Sequence, residues 1–151
     1  MIKKQQRRLK VGVLGCGPIA QFAHFESCQK ARNADLYAIC DVASDLVDRM
    51  AAIYQPQKKY LDYDAMLADP DVDAVIIATS DTFHVEASRR ALAAGKHVLC
   101  EKPIGVSVEE VEALSAAVNA SGRILQVGHM KRFDPGLEAA RDFVRDEMGE
   151  L

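Results

Sequence analysis

Apolar and polar positions along this chain keep two alternating rhythms. Val11, Val13 and Leu14 around Gly12 form the short apolar run of a buried strand. Residues 19–31 then carry the wider spacing of a helix. The same exchange recurs down the chain. Strands are predicted at 36–40, 59–60, 74–78, 97–100 and 124–127, and helices at 43–54, 63–67, 82–94, 107–120 and 134–148. Residues 74–78 (AVIIA) are apolar throughout, as a strand covered on both faces should be. Helix boundaries carry their own chemistry. Ser107 with Glu110 makes a capping box, Asp134 and Pro135 open the last helix, and Gly95 and Gly122 close two others. Strand and helix in strict alternation predict an α/β fold. We expect a doubly wound parallel sheet of about six strands, the Rossmann dinucleotide-binding arrangement.

The chain is 151 residues long and 49% hydrophobic, one domain's worth of sequence with a real core. Its net charge of −3 hides an asymmetry, because Lys3, Lys4, Arg7, Arg8 and Lys10 are crowded into an acid-free start. Residues 1–9 are expected to be a basic, disordered leader, and 10–148 the dinucleotide-binding domain. The leader lacks the apolar core of a signal peptide, and no apolar run is long enough to span a membrane. Neither nucleic acid nor a membrane is an expected partner. Cys16, Cys28, Cys40 and Cys100 form no C-x-x-C pair and no metal-binding spacing with the four histidines. Reduced thiols in a cytoplasmic protein without a metal are the expectation.

The stretch LKVGVLGCGPIAQ, residues 9–21, carries the clearest chemistry. Gly15, Gly17 and Ala20 have the spacing G-x-G-x-x-A straight after a strand and ahead of a helix. Gly15 permits the tight turn, Gly17 leaves room for a pyrophosphate, and Ala20 lets the helix lie close to the strand. Pro18 and Ile19 open that helix, whose free N–H groups and positive end suit an anion. Asp41 ends the second strand about twenty residues later, where an acid can accept hydrogen bonds from ribose hydroxyls. A 2′-phosphate beside it would meet ~1–4 kcal/mol of repulsion per unit charge at ~4 Å. That is about ten-fold to several-hundred-fold in affinity, so NAD is expected over NADP. Thr79, Ser80, Asp81 and His84 follow the fourth strand, on the edge where ligands lie in such sheets. Ser80 and Asp81 would equally serve as caps of the next helix. Glu101, Lys102 and Pro103 end the fifth strand. A lysine there can stabilise the oxygen of an alcohol that is losing hydride and a proton.

Taken together, GCGPIA, Asp41, DYDAMLADPDVDAVIIAT, AGKHVLCEKP and GHMKRFDP closely resemble the Gfo/Idh/MocA oxidoreductases, from about Lys10 to the end of the chain. The resemblance implies a cofactor turn at Gly15, Gly17 and Ala20, a ribose-binding acid at Asp41 and a catalytic lysine at Lys102. It puts Glu101 near the nicotinamide ribose, a cis bond before Pro103, and His84 on the cofactor side. Arg132 falls near where two domains meet. Where the family commonly has T-P-N, this chain has Thr79, Ser80 and Asp81. The resemblance further implies that residues 149–151 begin a second α/β domain. That domain would hold the substrate pocket and much of a homo-oligomer interface. The implied function is hydride transfer between NAD and a hydroxyl of a sugar, polyol or related molecule. The alternative is a dinucleotide-binding module, a truncated chain or redox sensor, with no turnover of its own.

Overall fold

A computed structural model describes residues 7–148. All six expected strands are present: β1 (Leu9–Leu14), β2 (Ala34–Cys40), β3 (Lys58–Tyr60), β4 (Ala74–Ile77), β5 (His97–Cys100) and β6 (Leu125–Val127). They form one sheet in the order β3-β2-β1-β4-β5-β6, and every pairing is parallel. The order reverses between β1 and β4, and the crevice for a ligand in an open parallel sheet lies beyond the carboxyl ends of strands at such a point.

Side-chain alternation along the strands feeds two cores. On one face Tyr37, Val75, Ile77, Val98 and Cys100 pack against α3 (Tyr63–Ala68), α4 (His84–Ala93) and α5 (Val108–Ser121). On the other, Val11, Val13, Leu36 and Ile39 pack against α1 (Phe25–Lys30) and α2 (Ser44–Tyr54). Covering both faces is what the unbroken apolar strands require. The last helix, α6 (Pro135–Glu147), buries no residue and leaves Leu137 and Phe143 exposed.

The observed caps account for several boundaries. Ser107 Oγ accepts from the Glu110 N–H at 3.2 Å, and the Glu110 carboxylate accepts from the Val106 N–H at 3.1 Å. Asp134 accepts from the Gly136 N–H at 3.0 Å, with Pro135 in the first turn. Two boundaries differ from expectation. The first helix begins as a π-helical turn, Ala20–His24, before becoming α1, and it stops at Lys30 rather than Ala31. At the other end of the sheet, β1 starts at Leu9, inside the expected leader. Arg7 pairs there with Asp73, and Arg8 with Asp35 and the Ala34 carbonyl. The rest of the leader, residues 1–6, and the expected domain start at 149–151 lie outside the described residues.

Candidate functional site

The turn after β1 is held from three sides. Gly15 has φ +93°, and its N–H donates to the Cys40 carbonyl at 2.8 Å. A Cβ added at Gly15 would stand 2.5 Å from the Ala78 carbonyl oxygen, so the backbone of the turn is pressed onto the end of β4. The Cys16 N–H donates to Asp41 Oδ2 at 2.8 Å, tying the turn to the end of β2. Ala20 is fully buried where helix meets strand. At Gly17, by contrast, an added Cβ would meet nothing within 4 Å. The fold itself makes no demand for glycine there, and the space beside it is open.

That space belongs to a cavity of about 730 Å³ lined by Gly15, Gly17, Pro18, Ile19, Asp41, Thr79 and Ser80, with Val42 and Phe83 among its apolar walls. Its size is that of a cofactor cleft. Its chemistry suits a dinucleotide. The amides opening the helix after Pro18 have no intrahelical acceptor and can receive a diphosphate. Asp41 takes one backbone N–H on each oxygen, Cys16 on Oδ2 and Ala43 on Oδ1 at 3.0 Å. Each carboxylate oxygen therefore keeps a lone pair for another donor, the number a vicinal diol needs. Val42 is 91% exposed and Phe83 63%, apolar surface that a flat base can cover.

At the end of β4, Thr79 and Ser80 line the cavity, whereas Asp81 is exposed and stands outside the lining. Neither Ser80 nor Asp81 caps α4. A 3₁₀ turn, Asp81–Phe83, intervenes, and no side-chain cap bond forms at Ser80 or Phe83. Their polar atoms are thus free of the structural duty that would have explained them. His84 is not part of the cavity wall, because its ring is 1% exposed and sits behind the loops. Its Nδ1 donates to the Pro103 carbonyl at 2.6 Å, and Nε2 faces the Thr79 carbonyl at 3.2 Å.

Beyond β5, Glu101 is nearly buried. Its Oε1 accepts from His24 Nε2 at 2.9 Å, and its Oε2 from the Lys102 N–H at 3.3 Å. The Lys102–Pro103 bond is cis. Lys102 itself is exposed and lines a second cavity of about 600 Å³ on the same sheet edge, with Gly128, His129, Arg132 and Arg141. Arg132 thus joins Lys102 rather than the glycine turn. The thiols nearest the turn are inert packing groups. Burial, reinforced by the Asp41 charge, pushes Cys16 and Cys40 up to about 12. Burial likewise pushes Cys100 up to about 11.

The sequence motifs single out neither His24, Val42 nor Phe83, whereas Gly128 opens the GHMKRFDP stretch. His24 carried one usable signal, as the polar member of a buried stripe Ala20, His24, Cys28 at helical spacing. Its partner Glu101 stands 77 residues away, which no local pattern reveals.

A profile of the oxidoreductase family with an NAD-binding Rossmann fold, Gfo/Idh/MocA, matches residues 9–129. The chain belongs to this family. It is 32% identical over 138 residues to a myo-inositol 2-dehydrogenase of Thermotoga maritima, covering 91% of this chain and 41% of that protein. Among solved structures, scyllo-inositol dehydrogenase from Lactobacillus casei, with NAD(H) and scyllo-inositol bound, matches with a TM-score of 0.85 and 31% identity. That match covers 91% of this chain and 41% of the other. A 3-ketoreductase from Actinomadura kijaniata, in complex with TDP-benzene and NADP, matches with a TM-score of 0.88 and 30% identity, over 95% of this chain and 46% of the other. This Gfo/Idh/MocA chain therefore spans less than half the length of these relatives. Among its described residues, no helix is long and apolar enough to cross a membrane.

Proposed function

We propose that residues 10–148 are the NAD-holding domain of a dehydrogenase that oxidises a hydroxyl of a sugar, polyol or related molecule. The observation that carries this is the cavity over the glycine turn, open at Gly17 and rimmed by Asp41, with Lys102 on the same sheet edge. Gly15, Gly17, Pro18, Ile19 and Ala20 would seat the diphosphate, and Asp41 the adenosine ribose. Thr79 and Ser80, with Asp81 and Glu101 at the margins, would face the remaining ribose and the nicotinamide. When bound, the dinucleotide supplies the hydride acceptor. Lys102 would hold its amino group beside the substrate oxygen and, as the neutral amine, take the hydroxyl proton to become ammonium while the carbinol carbon gives up its hydride and becomes a carbonyl carbon. Arg132 lies beside Lys102 and borders the substrate side. His84, buried behind the loops, is given no direct contact. The relatives' greater length supports a second domain, which would complete the substrate pocket; a homo-oligomer would form through that domain. Four free, buried thiols fit a cytoplasmic setting.

Calorimetric titration of this chain with NADH, NAD and NADP tests the reading. NADH should bind, and NADP should bind at least about ten-fold more weakly through repulsion at Asp41. Asp41→Asn should shrink that gap while weakening NADH, because an amide offers one acceptor where two backbone N–H groups point. Absence of heat with all three dinucleotides would overturn the proposal. Turnover of polyols by this chain alone would overturn the second domain's share in the substrate pocket.

A further inference from the structure

Lys102 stands alone. Among the described residues its Nζ has no hydrogen-bond or ion-pair partner, so its position is set by the backbone on either side. Both flanks are gripped by histidines from elsewhere in the chain. On one side His24, 11% exposed at its side chain, donates through Nε2 to Glu101 Oε1 at 2.9 Å. It arrives from the π-helical turn after the glycine motif, a wider turn that lets both His24 and Phe25 face inward. On the other side His84, in the first turn of α4, donates through Nδ1 to the Pro103 carbonyl at 2.6 Å. A proline has no N–H, so this carbonyl is the hydrogen-bonding handle the backbone offers at that residue. Gly128 backs the assembly, since a Cβ there would come within 3.2 Å of Glu101 Oε1.

We propose that His24 and His84 form a two-sided brace that positions Lys102, and that neither touches the dinucleotide or the substrate. They are positioning residues, and the inference rests on the reading of Lys102 given above. The brace also joins the two halves of the site. His24 belongs to the helix whose start would hold the diphosphate, and His84 Nε2 reaches the Thr79 carbonyl at the cavity wall. Placement of the lysine is thereby referred to the same elements that seat the cofactor. A lysine misplaced by about 1 Å would lose much of its effect, up to about 100-fold in rate.

The test compares amide side chains by reach. Glutamine sets its N–H₂ where a histidine has Nε2, and asparagine where it has Nδ1. His24→Gln and His84→Asn keep the bonds to Glu101 and Pro103, whereas His24→Asn and His84→Gln break them. The readout is the rate at which an amine-directed reagent labels Lys102, followed by mass spectrometry with and without NADH. Wild type and the reach-keeping pair should show about ten-fold protection by NADH, and the reach-breaking pair should show almost none. Calorimetric NADH affinity should stay within about three-fold in all four. Equal protection in reach-keeping and reach-breaking variants overturns the brace, as does protection that merely follows thermal stability. NADH that binds wild type without protecting Lys102 overturns the reading of Lys102 itself, and the brace with it.

Discussion

Two glycines in one turn answer to different causes, and substitution should separate them. Gly15 is required by the fold, with φ +93° and the Ala78 carbonyl 2.5 Å from where a Cβ would stand. Gly15→Ala should cost about 2–4 kcal/mol, from the left-handed backbone and the overlap together, and lower the melting temperature by several degrees. Gly17 has open space beside it, so Gly17→Ala should leave stability unchanged within about 0.5 kcal/mol. The same methyl would intrude where the diphosphate is proposed to lie, and NADH affinity should fall about ten-fold or more. Thermal melts and NADH titration of the two variants check the pair. Equal effects on stability would contradict this division. The spacing of these glycines was plain in the sequence. Which one serves the fold and which the ligand was not, because that depends on how β4 approaches the turn.

Among the elements, strands and helices were legible because each carries its own periodicity and punctuation. α5 is the clearest case, with Ser107 and Glu110 satisfying the N–H groups of Glu110 and Val106. Ser107→Ala should cost about 1 kcal/mol, and the melting temperature should drop by roughly 2–4 °C. Calorimetric melting of the single variant is the measurement, and Ser107→Asp should recover most of the loss. Where periodicity misled, competing bonds explain the difference. The first helix was expected to be regular, yet it opens as a π-helical turn. There Gln21 Nε2 donates to the Cys16 carbonyl at 2.7 Å and Tyr54 Oη to the Gln21 carbonyl at 3.2 Å. Those partners come from the glycine turn and from α2, so no helix-propensity argument contains them.

For the whole molecule, the edge opposite the site holds the most densely bonded acid among the described residues. Asp69, 6% exposed, accepts from Tyr37 Oη at 3.1 Å, Tyr60 Oη at 2.7 Å, Lys58 Nζ at 2.9 Å and the Asp71 N–H at 2.9 Å. Burial alone would raise its pKa, but the bonds from Tyr60, Lys58, Asp71 and Tyr37 outweigh it and hold the carboxyl well below the usual carboxylate range. A group whose pKa is depressed by folding binds protons more readily when unfolded. Its stabilisation is therefore complete above the unfolded value of about 4 and is lost as pH falls towards the folded value. Asp69→Asn should be less stable than wild type at pH 7 by about 1–3 kcal/mol, with the difference narrowing below about pH 4. Urea unfolding at several pH values checks this. A difference independent of pH would exclude a linkage role for Asp69.

What the sequence determined by itself was everything carried by near neighbours. That covers six strands, the helices between them, the G-x-G-x-x-A turn, the acid at the end of β2 and the lysine after β5. Hydrophobic period, cap chemistry and small residues at a turn all act over a few positions. What only the tertiary structure decided was how those pieces meet. It put His84 behind the cavity instead of on its wall, divided Lys102 and Arg132 from the glycine turn, and paired His24 with Glu101 across 77 residues. The physical reason is that a hydrogen bond depends on where two atoms lie in space, and spacing along a chain sets that only within a single element.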